Sequence, residues 1–224
     1  MKAKKLKLWG IALVIFSGLA CAQDQNLLPK YGSSPKSDSL KAADAAFIKA
    51  IDDEYHGDRS KASTDLAARG WQYLSQRNLE DAMRRFNQAW LLNNSNGIAL
   101  WGMAAAQASL GKTDDSLKLF AEAENLIDDN TNFSIDYAKA VGMAGAQHQD
   151  DALLNNAYKR FQRIYEKAPQ NTLNLENWAI TLFRAGSYPE AWAKVKLAEA
   201  TPGKGNLDPR FIAALESRMP RPHN

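Results

Sequence analysis

Apolar residues recur at intervals of three and four along most of the chain, which is the spacing of helices that bury one face. The pattern covers residues 38–57 and then continues over residues 63–202 in segments that come in pairs. A last apolar stripe lies at residues 207–219, after a loop of Pro, Gly and Lys. These patterns predict an all-α protein.

The first segment, 38–57, predicts an N-terminal helix that ends near Tyr55. Asp38 or Ser39 can cap its beginning, and Gly57 and Asp58 interrupt the pattern after it. We expect this helix to pack on the first helix pair or in its groove. Its apolar residues share one face: Ala42, Ala43, Ala46, Phe47, Ala50 and Ile51.

Two consecutive helix pairs between residues 63 and 128 repeat with a period of 34 residues. The first predicts helices at about 64–75 and 79–92, the second at about 98–110 and 114–127. Small residues let the helices of a pair approach closely, and an aromatic residue fills the space between them. The matching positions are Leu66, Gly70, Tyr73, Ala82, Phe86 and Ala89, then Leu100, Ala104, Gln107, Ser116, Phe120 and Ala123.

Two further copies follow. The copy that begins at Thr172 keeps the spacing, and Pro189 suits the first turn of its second helix. The copy before it contains seven extra residues, which predict longer helices beginning near Phe133 and Asp151. After residue 202, Asp208 can cap a final helix with Pro209 at its first position.

This pattern resembles the tetratricopeptide repeat (TPR), a helix pair of 34 residues with small and aromatic residues at fixed positions. The resemblance covers residues 63–202. It implies a right-handed superhelical solenoid of about four helix pairs, with the helix at 38–57 before it and a capping helix at 207–219 after it.

In TPR proteins the first helices of the pairs line a concave groove, and the resemblance assigns apolar residues to it here. The family's acidic-tail sites use Lys, Arg and Asn, but Ala67 and Trp71 stand where the first such ligands would be. We therefore predict that the groove binds an apolar segment or a partner helix. Two interpretations stay open, an open groove or one filled by the N-terminal helix and core packing. The predicted partner-binding residues are Trp71, Leu74, Ile98, Trp101, Ile180 and Phe183.

Residues 1–21 have the features of an export signal. Four lysines precede an apolar run over 8–20 that is too short for a membrane-spanning helix. The end of this run, Gly18-Leu19-Ala20-Cys21, resembles a bacterial lipobox, although the family prefers Leu where Gly18 stands. Cys21 is thus a candidate for lipidation, and the alternative is a cut after Ala22. Residues 22–37 contain Pro and Gly and predict a flexible tether.

The net charge is +3, and removing the four lysines of residues 1–7 leaves −1. A nearly neutral domain gives a nucleic-acid partner no electrostatic support. Cys21 is the single cysteine, so the folded part has no thiol chemistry. Three histidines lack metal-site spacing, and the paired acids lie at helix ends, where they favour the helix dipole. We predict no enzyme, no metal and no cofactor.

The sequence therefore predicts a non-enzymatic protein–protein interaction scaffold of the bacterial cell envelope. The expected partner is another envelope protein or peptide segment, and a lipid on Cys21 would add a membrane contact. Because Ala22 is not acidic, the predicted location is the periplasmic side of the outer membrane, or the soluble periplasm if Cys21 is removed. The alternative is a periplasmic inhibitor or immunity-type protein that forms a tight one-to-one complex with an enzyme.

Overall fold

The computed structural model describes residues 25–32, 34–201 and 207–222. This part of the chain contains ten α-helices, one 3-10 helix at Pro29–Tyr31 and no β-strand. The α-helices are α1 (Asp38–Glu54), α2 (Arg59–Ser75), α3 (Leu79–Leu92), α4 (Gly97–Ser109), α5 (Thr113–Glu124), α6 (Thr131–His148), α7 (Asp151–Lys167), α8 (Thr172–Arg184), α9 (Tyr188–Glu199) and α10 (Pro209–Arg218).

The chain forms two compact units. The first contains the described residues up to Ala106, together with Glu122–Leu126. The second contains Gln107–Ala121 and the described residues from Ile127 onward. Consecutive helices pack as pairs within each unit, as the repeat pattern predicts: α2 with α3 in the first unit, and α6 with α7 and α8 with α9 in the second.

Asn and Asp side chains define where most helices begin. Each accepts a hydrogen bond from a backbone N–H two or three residues further on, which satisfies a donor in the first turn. Helix α1 differs from the prediction, because its cap is Ser37 rather than Asp38 or Ser39; the Ser37 hydroxyl accepts the Leu40 N–H. The Asn and Asp caps are Asp58, Asn78, Asn96, Asn130, Asp150, Asn171 and Asp208.

The helix lengths largely agree with the 34-residue period and with the longer third copy. Helix α3 has the predicted bounds, but α2 begins at Arg59 rather than near Thr64 because Asp58 caps it early. Helix α5 ends at Glu124, before the predicted 127. The seven additional residues of the third copy lengthen both of its helices: α6 has 18 residues and α7 has 17, whereas α4 has 13 and α5 has 12.

Each turn inside a helix pair contains one residue in the left-handed backbone region. These residues are Arg77 (φ 61°), Gly111 (φ 73°), Gln149 (φ 53°) and Gly186 (φ 80°). Glycine adopts this conformation without a steric penalty, whereas an L-residue pays roughly 1–2 kcal/mol. Two of the four equivalent turns therefore carry local strain.

The core of the first unit is built around Phe86, which is completely buried. Its ring lies against the backbones of Gly70 in α2 and Gly102 in α4. A Cβ atom added to these glycines would come within 2.5 Å and 2.2 Å of the ring, respectively. The two glycines thus allow α2 and α4 to close on Phe86 of α3.

A partly buried polar chain ties the same three helices together. The Ser63 hydroxyl of α2 donates to the Ala89 carbonyl of α3 at 2.7 Å, and the Asn96 amide donates to the Ser63 hydroxyl at 2.8 Å. Asn96 also caps α4. Since unpaired polar groups are costly inside a protein, this chain fixes how the helices are positioned.

Helix α1 packs on the first pair, as expected. Phe47 lies against a buried cluster formed by Leu66, Ala67, Ala89 and Ala99. The end of α1 is joined to the start of α2 by Arg59, which donates to both carboxylate oxygens of Asp52 at 2.7 Å. The alanines of the predicted apolar face, at 42, 43, 46 and 50, are exposed.

The second unit has an aromatic core. Phe120 of α5 stacks on Tyr137 of α6 with ring centroids 5.2 Å apart, and Phe161 of α7 stacks on Trp178 of α8 at 6.1 Å. Gly142 gives α6 a close approach to α8, because a Cβ there would lie 2.4 Å from Thr181 Cγ2. The second unit thus combines stacked rings with a close helix approach at a glycine, whereas the ring contacts of the first unit are edge-on.

Residues 25–32 differ from the expected flexible tether, since they fold into a compact segment that docks on α3. We call this segment the N-terminal strap. The side chain of Asn87 accepts the backbone N–H of Lys30 at 2.8 Å and donates to the carbonyls of Asn26 and Leu28, each at 2.9 Å. Tyr31 is 5% exposed. These contacts join residues about 60 positions apart, so they leave no local signal in the sequence. Composition alone therefore predicts a tether.

Candidate partner-binding site

Two of the predicted groove residues, Trp71 of α2 and Trp101 of α4, lie in direct contact. Their ring centroids are 4.7 Å apart and the rings are inclined by 64°. The indole N–H of Trp71 donates to the carbonyl of Ile98 at 3.4 Å. Both rings are half-buried, and Ile98 is 38% exposed. We call Trp71, Ile98 and Trp101 the tryptophan patch.

The patch rests on the core described above. Trp71 directly follows Gly70, and Trp101 directly precedes Gly102. The Trp71 ring meets Phe86 edge-on at 5.9 Å. Because Phe86 draws α2 and α4 together through the two glycines, it also brings the two tryptophans into contact. The same residues therefore support both the fold and the patch.

Helix α1 covers the beginning of this face of α2. Ala67 lies four residues before Trp71 and so on the same side of α2. Ala67 is 1% exposed, and the cluster to which it belongs is covered by Phe47. The patch, in contrast, retains exposed surface. The sequence left two interpretations open, an open groove or one filled by the N-terminal helix. Helix α1 covers the Ala67 end of this face of α2, whereas the patch retains accessible area.

The other predicted site residues have different surroundings. Leu74, one turn beyond Trp71 on α2, is half-buried. In the second unit Ile180 is half-buried, and Phe183 packs against Tyr188 at 5.7 Å and against Phe211 of α10 at 5.9 Å. Phe183 thus holds the C-terminal helix, and its role in partner binding stays a prediction. Cys21 lies outside the described residues.

The beginning of the C-terminal helix makes a second contact with α8. The backbone N–H of Asp208 donates to the Glu176 carboxylate of α8 at 2.9 Å. Together with Phe211 on Phe183, this contact places the beginning of α10 along the face of α8. Sequence reasoning had assigned α10 the role of a cap but had not identified the residues that it covers.

The paired acids predicted at helix ends make structural contacts. Asp150 caps α7, Asp114 lies 3.1 Å from the ring of His148, and Asp129 lies 3.0 Å from Lys167. In the part of the chain that the structure describes, no three His, Cys, Asp or Glu residues converge as a metal site would require. Among the same residues, no helix is long and apolar enough to cross a membrane.

Sequence reasoning missed the docking role of Asn87 and Tyr31. The available signal was a tyrosine in a segment rich in Pro, Gly and Ser, which a flexible tether does not require. Asn87 is 1% exposed, and it satisfies three backbone groups of the strap at once. Burial raises the pKa of Tyr31, and nearby Asp44 adds to the effect.

Two crystal structures of TPR proteins are among the solved structures that resemble this fold. The crystal structure of TTC0263, a thermophilic TPR protein of Thermus thermophilus, aligns with a TM-score of 0.58 and 17% identity, over 70% of this chain and 80% of its own. The crystal structure of YrrB, described as a TPR protein with an unusual peptide-binding site, aligns with a TM-score of 0.51 and 18% identity, over 75% and 78%. No protein-family model and no curated protein matches the sequence. The predicted TPR-type fold of helix pairs is confirmed.

Proposed function

We propose that this protein is a non-enzymatic interaction module of the bacterial cell envelope. It is exported by the signal at residues 1–21, and a lipid on Cys21 anchors it on the periplasmic side of the outer membrane. Its partner is another envelope protein, which binds the tryptophan patch with an apolar segment or the apolar face of a helix.

The tryptophan patch is the observation that carries this proposal. Tryptophan is enriched among the residues that dominate binding energy at interfaces, where it combines a large apolar area with a polar N–H. Here two indoles in contact keep exposed surface beside the 38% exposed Ile98. A peptide-binding site in YrrB, which has the same type of fold, supports the use of such a scaffold for partner binding.

Site-specific photo-crosslinking in cells tests the patch directly. A photoreactive residue at position 98 would probe it, and the same residue at position 173 is a matched control. Ile98 and Leu173 are each the second residue of a helix capped by Asn, and they are 38% and 47% exposed. We expect position 98 to form an adduct with one envelope protein and position 173 to form less of it or none.

Aspartate substitutions at the same two positions separate binding from folding. An acidic residue in the first turn is favourable for the helix dipole, so Ile98→Asp and Leu173→Asp should both fold. Only Ile98→Asp introduces a charge into the patch, and it should abolish co-purification of the partner.

Other outcomes would refute the proposal or select the alternative. Adducts from position 98 to α1 of the same chain alone would mean that no partner uses the patch. Equal adducts from both positions would place binding elsewhere. A one-to-one adduct with a hydrolase whose activity is blocked would identify an inhibitor rather than a scaffold.

A further inference from the structure

The N-terminal strap is held on α3 by several independent contacts. Besides the three hydrogen bonds of Asn87, Lys30 Nζ lies 2.8 Å from a Glu122 carboxylate oxygen, and Lys36 Nζ lies 3.3 Å from the centre of the Tyr31 ring. Lys36 also pairs with Asp44 of α1. The strap is therefore fastened to α3 and to the end of α5, and Lys36 links Tyr31 to α1, all within the first unit.

The backbone of the strap is strained, which indicates that these contacts determine its conformation. Lys30, Tyr31 and Gly32 follow one another with φ of 55°, 64° and 74°, and the first two are not glycine. Each non-glycine residue in this region costs roughly 1–2 kcal/mol. Such a conformation persists only where the surrounding contacts outweigh this cost. Here those contacts are the burial of Tyr31 and the hydrogen bonds of the Asn87 amide.

A docked strap leaves very little free chain between Cys21 and the folded unit. Four Cα-to-Cα steps separate Cys21 from Gln25, and they span at most about 14 Å. If the strap were free, the chain would be unattached as far as Ser37, where α1 is capped, and sixteen steps could span roughly 55 Å. Docking thus shortens the reach of a lipid anchor about fourfold.

We infer that the strap holds the first unit directly against the bilayer, with the strap side of α3 and the end of α5 facing the lipid. This inference rests on the proposed lipidation of Cys21. The strap side would then face the membrane surface, because the four steps between Cys21 and Gln25 are too short to hold it far from the lipid. Leu28 in the strap is 41% exposed, and Leu126, in the turn two residues after the end of α5, is 44% exposed.

The inference changes what the anchor does. A flexible tether would let the domain move freely above the membrane, whereas a docked strap fixes one side of it at the lipid surface. Phe86 of α3 points toward α2 and α4, and Asn87, the next residue, is turned about 100° from it and holds the strap. None of the contacts described for the strap involves a residue of the tryptophan patch.

Fluorescence quenching by lipid tests this arrangement in the full chain. A fluorescent residue is incorporated at position 126, the protein is purified from bacterial membranes as the cell processes it, and it is reconstituted in phosphatidylethanolamine–phosphatidylglycerol vesicles with nitroxide-labelled headgroups. Mass spectrometry of the N-terminal peptide shows whether Cys21 carries diacylglycerol. We expect lipidated Cys21 and loss of fluorescence at position 126.

Substitutions of Tyr31 provide the matched comparison. Tyr31→Ala removes the buried ring, frees the strap and should restore the fluorescence, whereas Tyr31→Phe keeps the ring and should preserve the quenching. Because Tyr31 precedes α1 and the repeats, circular dichroism should show unchanged helix content in both variants.

The outcomes separate this inference from the proposed function. Lipidated Cys21 with no quenching at position 126, or with quenching that Tyr31→Ala leaves unchanged, would overturn the docked arrangement and leave lipidation standing. A processed chain without lipid would overturn the lipidation of Cys21 and with it the arrangement at the bilayer, because no anchor would then hold the strap side there.

Discussion

Replacing Gly102 by Ala tests the packing that brings the two tryptophans together. In an exposed helix this change stabilises by about 1 kcal/mol, since alanine is the better helix former. Here the new Cβ would lie 2.2 Å from two ring carbons of Phe86. Carbon atoms in contact normally stay 3.5–4.0 Å apart, so the ring or the helix would have to move by more than about 1 Å.

Phe86 has no room for such a movement. It is completely buried, and its opposite contact is Gly70, where a Cβ would lie 2.5 Å from the ring. Overpacking of a core typically costs roughly 1–3 kcal/mol, and this overlap is at the severe end. After the gain in helix propensity, we expect Gly102→Ala to lower the free energy of unfolding by about 2 kcal/mol. The midpoint of thermal unfolding should fall by roughly 4–8 °C.

Urea unfolding followed by circular dichroism at 222 nm measures this change, and a double-mutant cycle with Phe86→Leu identifies its cause. The smaller side chain removes the ring carbons that the new Cβ would overlap. In the Phe86→Leu background, Gly102→Ala should therefore become neutral or stabilising. If Gly102→Ala stabilises the wild type, or costs the same in both backgrounds, the close approach of α4 to Phe86 is refuted.

Four further changes have expected outcomes. Arg77→Gly should raise the free energy of unfolding by about 1 kcal/mol, because glycine adopts the left-handed backbone conformation without the steric cost that arginine pays. Gly186→Ala at the equivalent turn should lower it by a similar amount. Urea unfolding measures both changes. Gln107 is 1% exposed, and neither of its amide atoms is hydrogen-bonded within the described part of the chain. Gln107→Leu should therefore raise the free energy of unfolding by roughly 1–2 kcal/mol in the same assay. A lower value would mean that the amide has a partner. Burial raises the pKa of Tyr31, so its contribution to strap docking is complete below the ordinary pKa of about 10 and is lost as the pH rises above it. Hydrogen exchange of residues 26–32 should accordingly accelerate in that range beyond its intrinsic rate, and Tyr31→Phe should remove this excess.

The helices and their pairing were predictable because both depend on local signals. A period of 34 residues, small residues at the helix contacts and Asn or Asp before most helices are all visible in the sequence. The bounds of α3 and the added length of α6 and α7 follow from them. The beginning of α2 was not predicted, because the repeat pattern starts at residue 63 while the Asp58 cap lies five residues earlier.

The strap could not be predicted, because its energy comes from contacts between distant residues. Lys30 and Asn87 are 57 positions apart, and Lys30 and Glu122 are 92 apart. Pro29, Gly32 and Ser34 have the composition of a linker, and nothing local distinguishes a docked loop from a free one. The contact of Phe183 with Phe211 is similar, since the repeat pattern assigns a position to the groove without saying what covers it.

The position of Phe86 explains why a binding surface and a repeat core are difficult to tell apart here. Its ring closes α2 and α4 around itself through two glycines, and it also supports the edge of Trp71. A substitution that loosens this core would therefore separate the tryptophans, even though it touches no partner. Ile98, at 38% exposure, is the most exposed residue of the patch and is not among the residues that close on Phe86. Under the proposed function, partner specificity should consequently depend on Ile98, while Gly70, Phe86 and Gly102 determine whether the two tryptophans meet at all.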